Sequence, residues 1–161
     1  MDEVLDYLQE NLNEYELASG GKRFANYVID IAGYLIFSAI IGFVIGIIVV
    51  GTEGETYFTQ PETIQTRILS WIEGLIVVIA YYTISEYVFK GKTLGKLITR
   101  TRAVNENNSR MDLGTCFKRS LCRCIPFEQF TFLSQKPRGW HDDFSGTKVI
   151  VDKEWRYYES N

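Results

Sequence analysis

The sequence predicts a mainly α membrane protein: a two-helix transmembrane hairpin, an interfacial or re-entrant segment, and a small cytoplasmic β element. Three observations predict it. Ile31 to Thr52 are 22 consecutive residues without a charged side chain, and about 20 apolar residues suffice to cross hydrocarbon. A second apolar stretch, Ile68 to Phe89, follows after a short polar connection. Lysine and arginine are segregated: Lys90, Lys92, Lys96, Arg100, Arg102, Arg110, Lys118, Arg119 and Arg123 follow the second stretch, and only Arg67 lies in the connection. The positive-inside rule then places both termini in the cytoplasm and the connection outside.

Residues 1–17 carry Leu5, Leu8, Leu12 and Tyr15 at three- and four-residue steps with acids opposite. That spacing predicts a short amphipathic cytoplasmic helix. Its acids argue against a lipid role, since the inner leaflet is itself negative. It packs on its own protein or docks a partner. Ser19-Gly20-Gly21 breaks it, and residues 18–153 then form the membrane domain.

The first spanning helix is expected over about 24–50. Ser38, Gly42 and Gly46 recur at four-residue steps, a strip of small residues that lets another helix approach closely. The expected neighbour is the second helix of the same chain, with a second copy as the alternative. Tyr57, Phe58 and Trp71 suit an interfacial aromatic belt. The second helix, about 68–89, is interrupted by Glu73 and Glu86, each close enough to an end to reach interfacial water.

Gly91-Lys92-Thr93 is not a phosphate loop. Such a loop needs a glycine where Glu86 stands, and it precedes a helix instead of following one. Leu97 to Val104 reads as a strand and Asn105 to Ser109 as a turn. From Leu113 to Cys124 an interfacial helix is expected, with Leu113, Phe117, Leu121 and Cys124 toward lipid and Lys118, Arg119 and Arg123 toward anionic headgroups. The apolar segment 125–133 contains Pro126 and Glu128 and is too short to cross. Gly139 to Thr147 is turn-rich, Thr147 to Val151 is a second strand, and the tail 154–161 is assigned no role.

Composition narrows the function. A formal charge of −3 argues against a nucleic-acid partner. Cys116, Cys122 and Cys124 are an odd set, a poor disulfide framework that fits a reducing compartment. With one histidine far from them, no metal is expected. Neither is a cofactor. The acidic N-terminus is not a signal peptide, so the first apolar helix is expected to remain as an anchor. His141 beside Asp142 could form a dyad, but no nucleophile stands at a recognisable spacing, so no catalytic residue is expected.

These residues resemble the RDD family, small bacterial multi-pass membrane proteins named for an arginine and two aspartates. The resemblance rests on Arg23 and Asp30 at the start of the first helix and on Glu86 followed by Thr93-Leu94-Gly95-Lys96. It continues through Arg119 in a basic helix to His141-Asp142 with Gly146-Thr147. It carries the family signature onto Arg23, Asp30 and Asp142, with Asp143 the less suitable candidate. It implies a bacterial cytoplasmic (inner) membrane and a transport role, including cation/proton exchange. The third apolar segment is shorter here than is usual in the family.

Arg23 and Asp30 stand seven residues apart, close to two helical turns, so Asp30 lies on the same face about 10 Å deeper. A charge there wants a partner. The expected arrangement is a polar cluster in which Arg23 and Lys96 offset Asp30, Glu86 and Asp142, clamping the closing segment onto the hairpin. Two functions follow. One is cation/proton or small-solute transport, which two helices could support only as a homo-oligomer or with a membrane-protein partner. The other is a non-catalytic subunit or assembly factor in which the cluster is purely structural.

Overall fold

The computed structural model describes residues 16–54, 63–128, 131 and 138–152. Residues 1–15 of the expected front helix, most of the polar connection and the tail lie outside them, and Glu16 and Leu17 at the end of that expected helix are extended instead.

Two long helices dominate. Helix α1 spans Gly20–Glu53, 34 residues or about 51 Å, and helix α2 spans Ile64–Val88. Both are long and apolar enough to cross a membrane. Ser19 caps α1 by accepting from the Lys22 amide. Thr63 and Thr66 form a reciprocal capping box that starts α2 before the apolar run begins. Since α1 is longer than hydrocarbon requires, its first turns extend beyond the apolar stretch and carry Arg23, Asn26 and Asp30 into the folded polar region.

A compact polar-ended unit grows on the N-terminal end of α1 and the C-terminal end of α2. After α2 the chain turns through Lys90 and Gly91, both at positive φ (54° and 90°). A Cβ on Gly91 would collide with the Ala103 carbonyl. Only glycine therefore lets this turn lie against the first strand, where Ala103 N–H donates to Gly91 C=O at 2.8 Å. Helix α3 is a short piece, Leu94–Thr99, ended by Arg100 in the left-handed conformation. It leads into β1, Thr101–Asn105. Helix α4 spans Leu113–Cys122 with Asp112 as its cap. Helix α5, Trp140–Ser145, ends at Gly146 with φ 63° and leads into β2, Thr147–Val151.

The strands pair antiparallel with Thr101 opposite Val151 and Asn105 opposite Thr147. The chain before α1 adds to the other edge of β2: Leu17 bridges Ile150, Ala18 N–H donates to Val149 C=O, and Val151 N–H donates to Glu16 C=O. A small core of Ala18, Ala103, Met111, Cys116 and Val149 lies here.

Sequence and structure differ in four places. The strand expected over 97–104 begins only at Thr101, because Thr93 caps a helical turn through the preceding residues. The turn-rich 139–147 stretch holds α5. The small-residue strip does not meet α2: a Cβ on Gly42 or Gly46 would find open space. The two long helices touch mainly near Phe37 and Tyr81, whose rings are 5.8 Å apart. The fourth difference concerns α4, whose apolar residues are exposed, in keeping with the expected lipid-facing side, but whose Arg119 is buried. Its buried residues are Cys116, Arg119 and Ser120, while Leu113, Phe117 and Leu121 are exposed. Its polar face, not its apolar one, packs on the protein, with Thr83 donating to Ser120 Oγ at 2.9 Å across the contact with α2.

Candidate functional site

The candidate site is the buried charge cluster at the N-terminal end of α1 and the C-terminal end of α2. Arg119, on the inward face of α4, is its centre. No solvent reaches its side chain. Its Nε donates to Glu86 Oε2 at 2.9 Å, and its Nη1 donates to Asp142 Oδ1 at 2.6 Å and to Thr147. One guanidinium thus ties the second long helix to the start of α5 and to β2. Glu86 and Asp142 keep Arg119 charged against the cost of burial.

Around it the expected residues assemble in part. Arg23 Nη1 pairs with Asp142 Oδ2, and Arg23 Nε donates to the Ala18 carbonyl. Lys96 Nζ lies 2.5 Å from Glu86 Oε1. Burial lowers the Lys96 pKa to about 8 against the pull of Glu86. Asp142 is held well below the usual carboxylate range: burial opposes its charge, but His141, Arg119 and Arg23 outweigh that.

Asp30 does not join this network. Its Oδ1 accepts from the Gly95 amide at 2.7 Å and from Tyr81 Oη at 3.4 Å, and its Oδ2 accepts from Thr93 Oγ1 at 2.7 Å. The partners are neutral, so Arg23 and Lys96 do not offset Asp30. Asp30 instead docks the Thr93-Leu94-Gly95-Lys96 turn onto α1, and a Cβ on Gly95 would strike the Asn26 carbonyl. Beside this contact the Asn26 side chain sits between the Thr99 and Thr101 hydroxyls.

Two of the cations expected to face headgroups point inward. Arg119 is the hub just described. Arg123 Nη2 reaches Glu86 Oε1 at 3.3 Å, and its guanidinium stacks 4.4 Å above the Tyr82 ring. Both turn inward because Glu86, buried in α2, leaves a negative charge that α4 can reach alongside Lys96 of α3. Lys118 is exposed.

Glu128 and His141 were not among the expected site residues. Glu128 is 1% exposed, and its Oε1 lies 2.5 Å from His141 Nδ1. Burial, aided by Arg123, pushes the His141 pKa down to about 4, against the pull of Asp142 and of the Glu128 hydrogen bond. Phe127, at φ 69°, sets the turn that aims Glu128 inward. A charged residue within an otherwise apolar segment was the one available signal. The cysteines are free, and burial raises the Cys116 thiol to about 11.

The arrangement is a set of satisfied ion pairs between segments distant in sequence, built beneath two apolar helices. The sequence model of the RDD family matches residues 17–146. No curated protein matches the chain, and no solved structure does. The matched region contains Arg23, Asp30, Glu86, Arg119 and Asp142, and with two helices fit to cross a bilayer this is a membrane protein. The chain belongs to the RDD family.

Proposed function

We propose that the chain is a non-catalytic membrane subunit or assembly factor whose charge cluster is structural, a clasp that locks the closing segment onto the helix pair. One observation carries this reading: the carboxylates of the cluster are already engaged. Glu86 meets Lys96, Arg119 and Arg123, Asp142 meets Arg23 and Arg119, and Asp30 accepts from Thr93 and Gly95. Cation/proton exchange needs a carboxylate that gives up one cation for another, and guanidiniums fixed on separate helices do not leave. The nine cations from Lys90 to Arg123 favour a cytoplasmic clasp, with both termini on that side of a bacterial inner membrane. Residues 125–128 then lie at the interface, with exposed Phe127 toward lipid and Glu128 inward. The uncovered face of α1 around Ser38, Gly42 and Gly46 suits a helix of a second copy or of a partner.

Proteoliposomes loaded with a pH-sensitive dye test the reading. The expected result is no proton movement on a sodium or potassium gradient. Gradient-driven flux that disappears in Asp30→Asn, while the protein still folds, overturns it in favour of transport.

A further inference from the structure

A cavity of about 190 Å³ opens between the inner ends of α1 and α2. Its walls are Tyr27, Ile31 and Tyr34 of α1 and Val78 and Tyr82 of α2; Arg123 and Glu128 provide its charges. It is smaller than the 300 Å³ or so of a drug-sized site. Its level is set by Ile31, the first residue of the uncharged run, so Tyr27 lies on the headgroup side of that boundary and Tyr34 on the hydrocarbon side.

Both charges are built into the wall and only partly used. Arg123, with its side chain 9% exposed, spends Nη2 on Glu86. Its buried Nε has no hydrogen-bond partner, and Nη1 has none among the described residues. Glu128 commits Oε1 to His141, and Oε2 has no partner among the described residues. A guanidinium and a carboxylate facing one small chamber, with three tyrosines around them, match a ligand that carries an anion and an ammonium a few bonds apart. The guanidinium suits a phosphate, and the carboxylate and the rings of Tyr27 and Tyr34 suit an ammonium. Ile31 and Val78 continue the wall toward hydrocarbon, where an acyl chain would run.

We propose that this cavity is a site for an aminoethyl phosphodiester headgroup, that of a phosphatidylethanolamine lipid, with its phosphate on Arg123 and its ammonium toward Glu128 and the tyrosines. The site rests on the membrane reading but not on the clasp being free of transport. A bound lipid would fill the gap between the helices just outside the clasp.

The test is native mass spectrometry of the full chain released from vesicles of equal phosphatidylethanolamine, phosphatidylcholine and phosphatidylglycerol. One retained phosphatidylethanolamine per chain is expected, at least tenfold over either competitor. The trimethylated headgroup cannot donate to Glu128, and the glycerol headgroup has no ammonium. Val78→Trp, which fills the cavity without touching the ion pairs, should reduce retention at least tenfold. If that variant does not fold, selectivity in the unaltered chain decides alone. Equal retention of the three lipids, or preference for phosphatidylglycerol, overturns the proposal. Soluble glycerophosphoethanolamine added as a competitor separates the sources. Failure to displace the lipid assigns the site to membrane lipid, while displacement supports the same headgroup chemistry from a soluble phosphodiester.

Discussion

The Arg119 guanidinium and the Glu86 carboxylate meet at 2.9 Å where neither side chain is exposed to solvent. Glu86 belongs to α2 and Arg119 to α4, so this pair fixes the amphipathic helix against the second spanning helix. Replacing Arg119 by methionine would take from buried Glu86 and Asp142 the one cation they share. The expected loss is about 3–5 kcal/mol of stability, measured by thermal unfolding in detergent. Arg119→Lys should recover only part of it, because a single ammonium cannot span both carboxylates.

Asp142 and Asp143 separate signature from neighbour. Asp142 is fully buried against Arg23 and Arg119, while Asp143 is 58% exposed beside Arg138. Asp142→Asn should cost several kcal/mol, and Asp143→Asn about 0.5 kcal/mol or less. Comparable losses in the two variants, followed by the same unfolding assay, would contradict the assignment.

Thr93 both caps α3 and donates to Asp30. Thr93→Ala should destabilise by about 2 kcal/mol, while Thr93→Ser keeps the hydroxyl and most of the stability. Gly95→Ala should be worse than Gly42→Ala in the isolated chain, since only the former meets a backbone carbonyl. If Gly42→Leu changes the size of the detergent-solubilised particle, another helix sits against that face.

His141 gives a pH dependence with a definite sign. Its folded pKa of about 4 lies below the ordinary 6.5 because of burial. Between these values the unfolded chain holds the extra proton, so stability falls as pH drops from about 6.5 to 4, by up to roughly 3 kcal/mol. Above pH 6.5 this contribution is fully present. Below about pH 4, protonation of Asp142 adds a further loss, since its folded pKa is depressed. His141→Gln should flatten the upper window. Stability that rises between pH 6.5 and 5 would show that the folded ring is charged.

Much of this was legible in the chain because charge inside an apolar stretch is conspicuous. Arg23, Asp30 and Glu86 stand out against the residues around them, and the positions of α1, α2 and β2 follow from hydropathy and β-branching. The partner of each charge was not legible. Asp30 was matched to Arg23 by helical phase, but phase cannot reveal that the Thr93–Gly95 turn folds back onto it. Arg119 and Arg123 were assigned to lipid because cations on an amphipathic helix usually face outward. Here the apolar side of α4 is the outer one, and a carboxylate in α2 reverses the rule. Glu128 reads in the sequence only as an interruption of the apolar segment, because its pairing with His141, thirteen residues onward and on another element, leaves no local signal.

The strand-like contact of Leu17 with Ile150, together with the Arg23–Asp142 pair, has a consequence for biosynthesis. The first spanning helix leaves the ribosome long before the residues that complete its anchor. Until Asp142 has been made, Arg23 and Arg119 wait at the bilayer without the counter-ion they share. A chain halted between α4 and α5 would leave them in that condition, a ready mark for quality-control proteolysis.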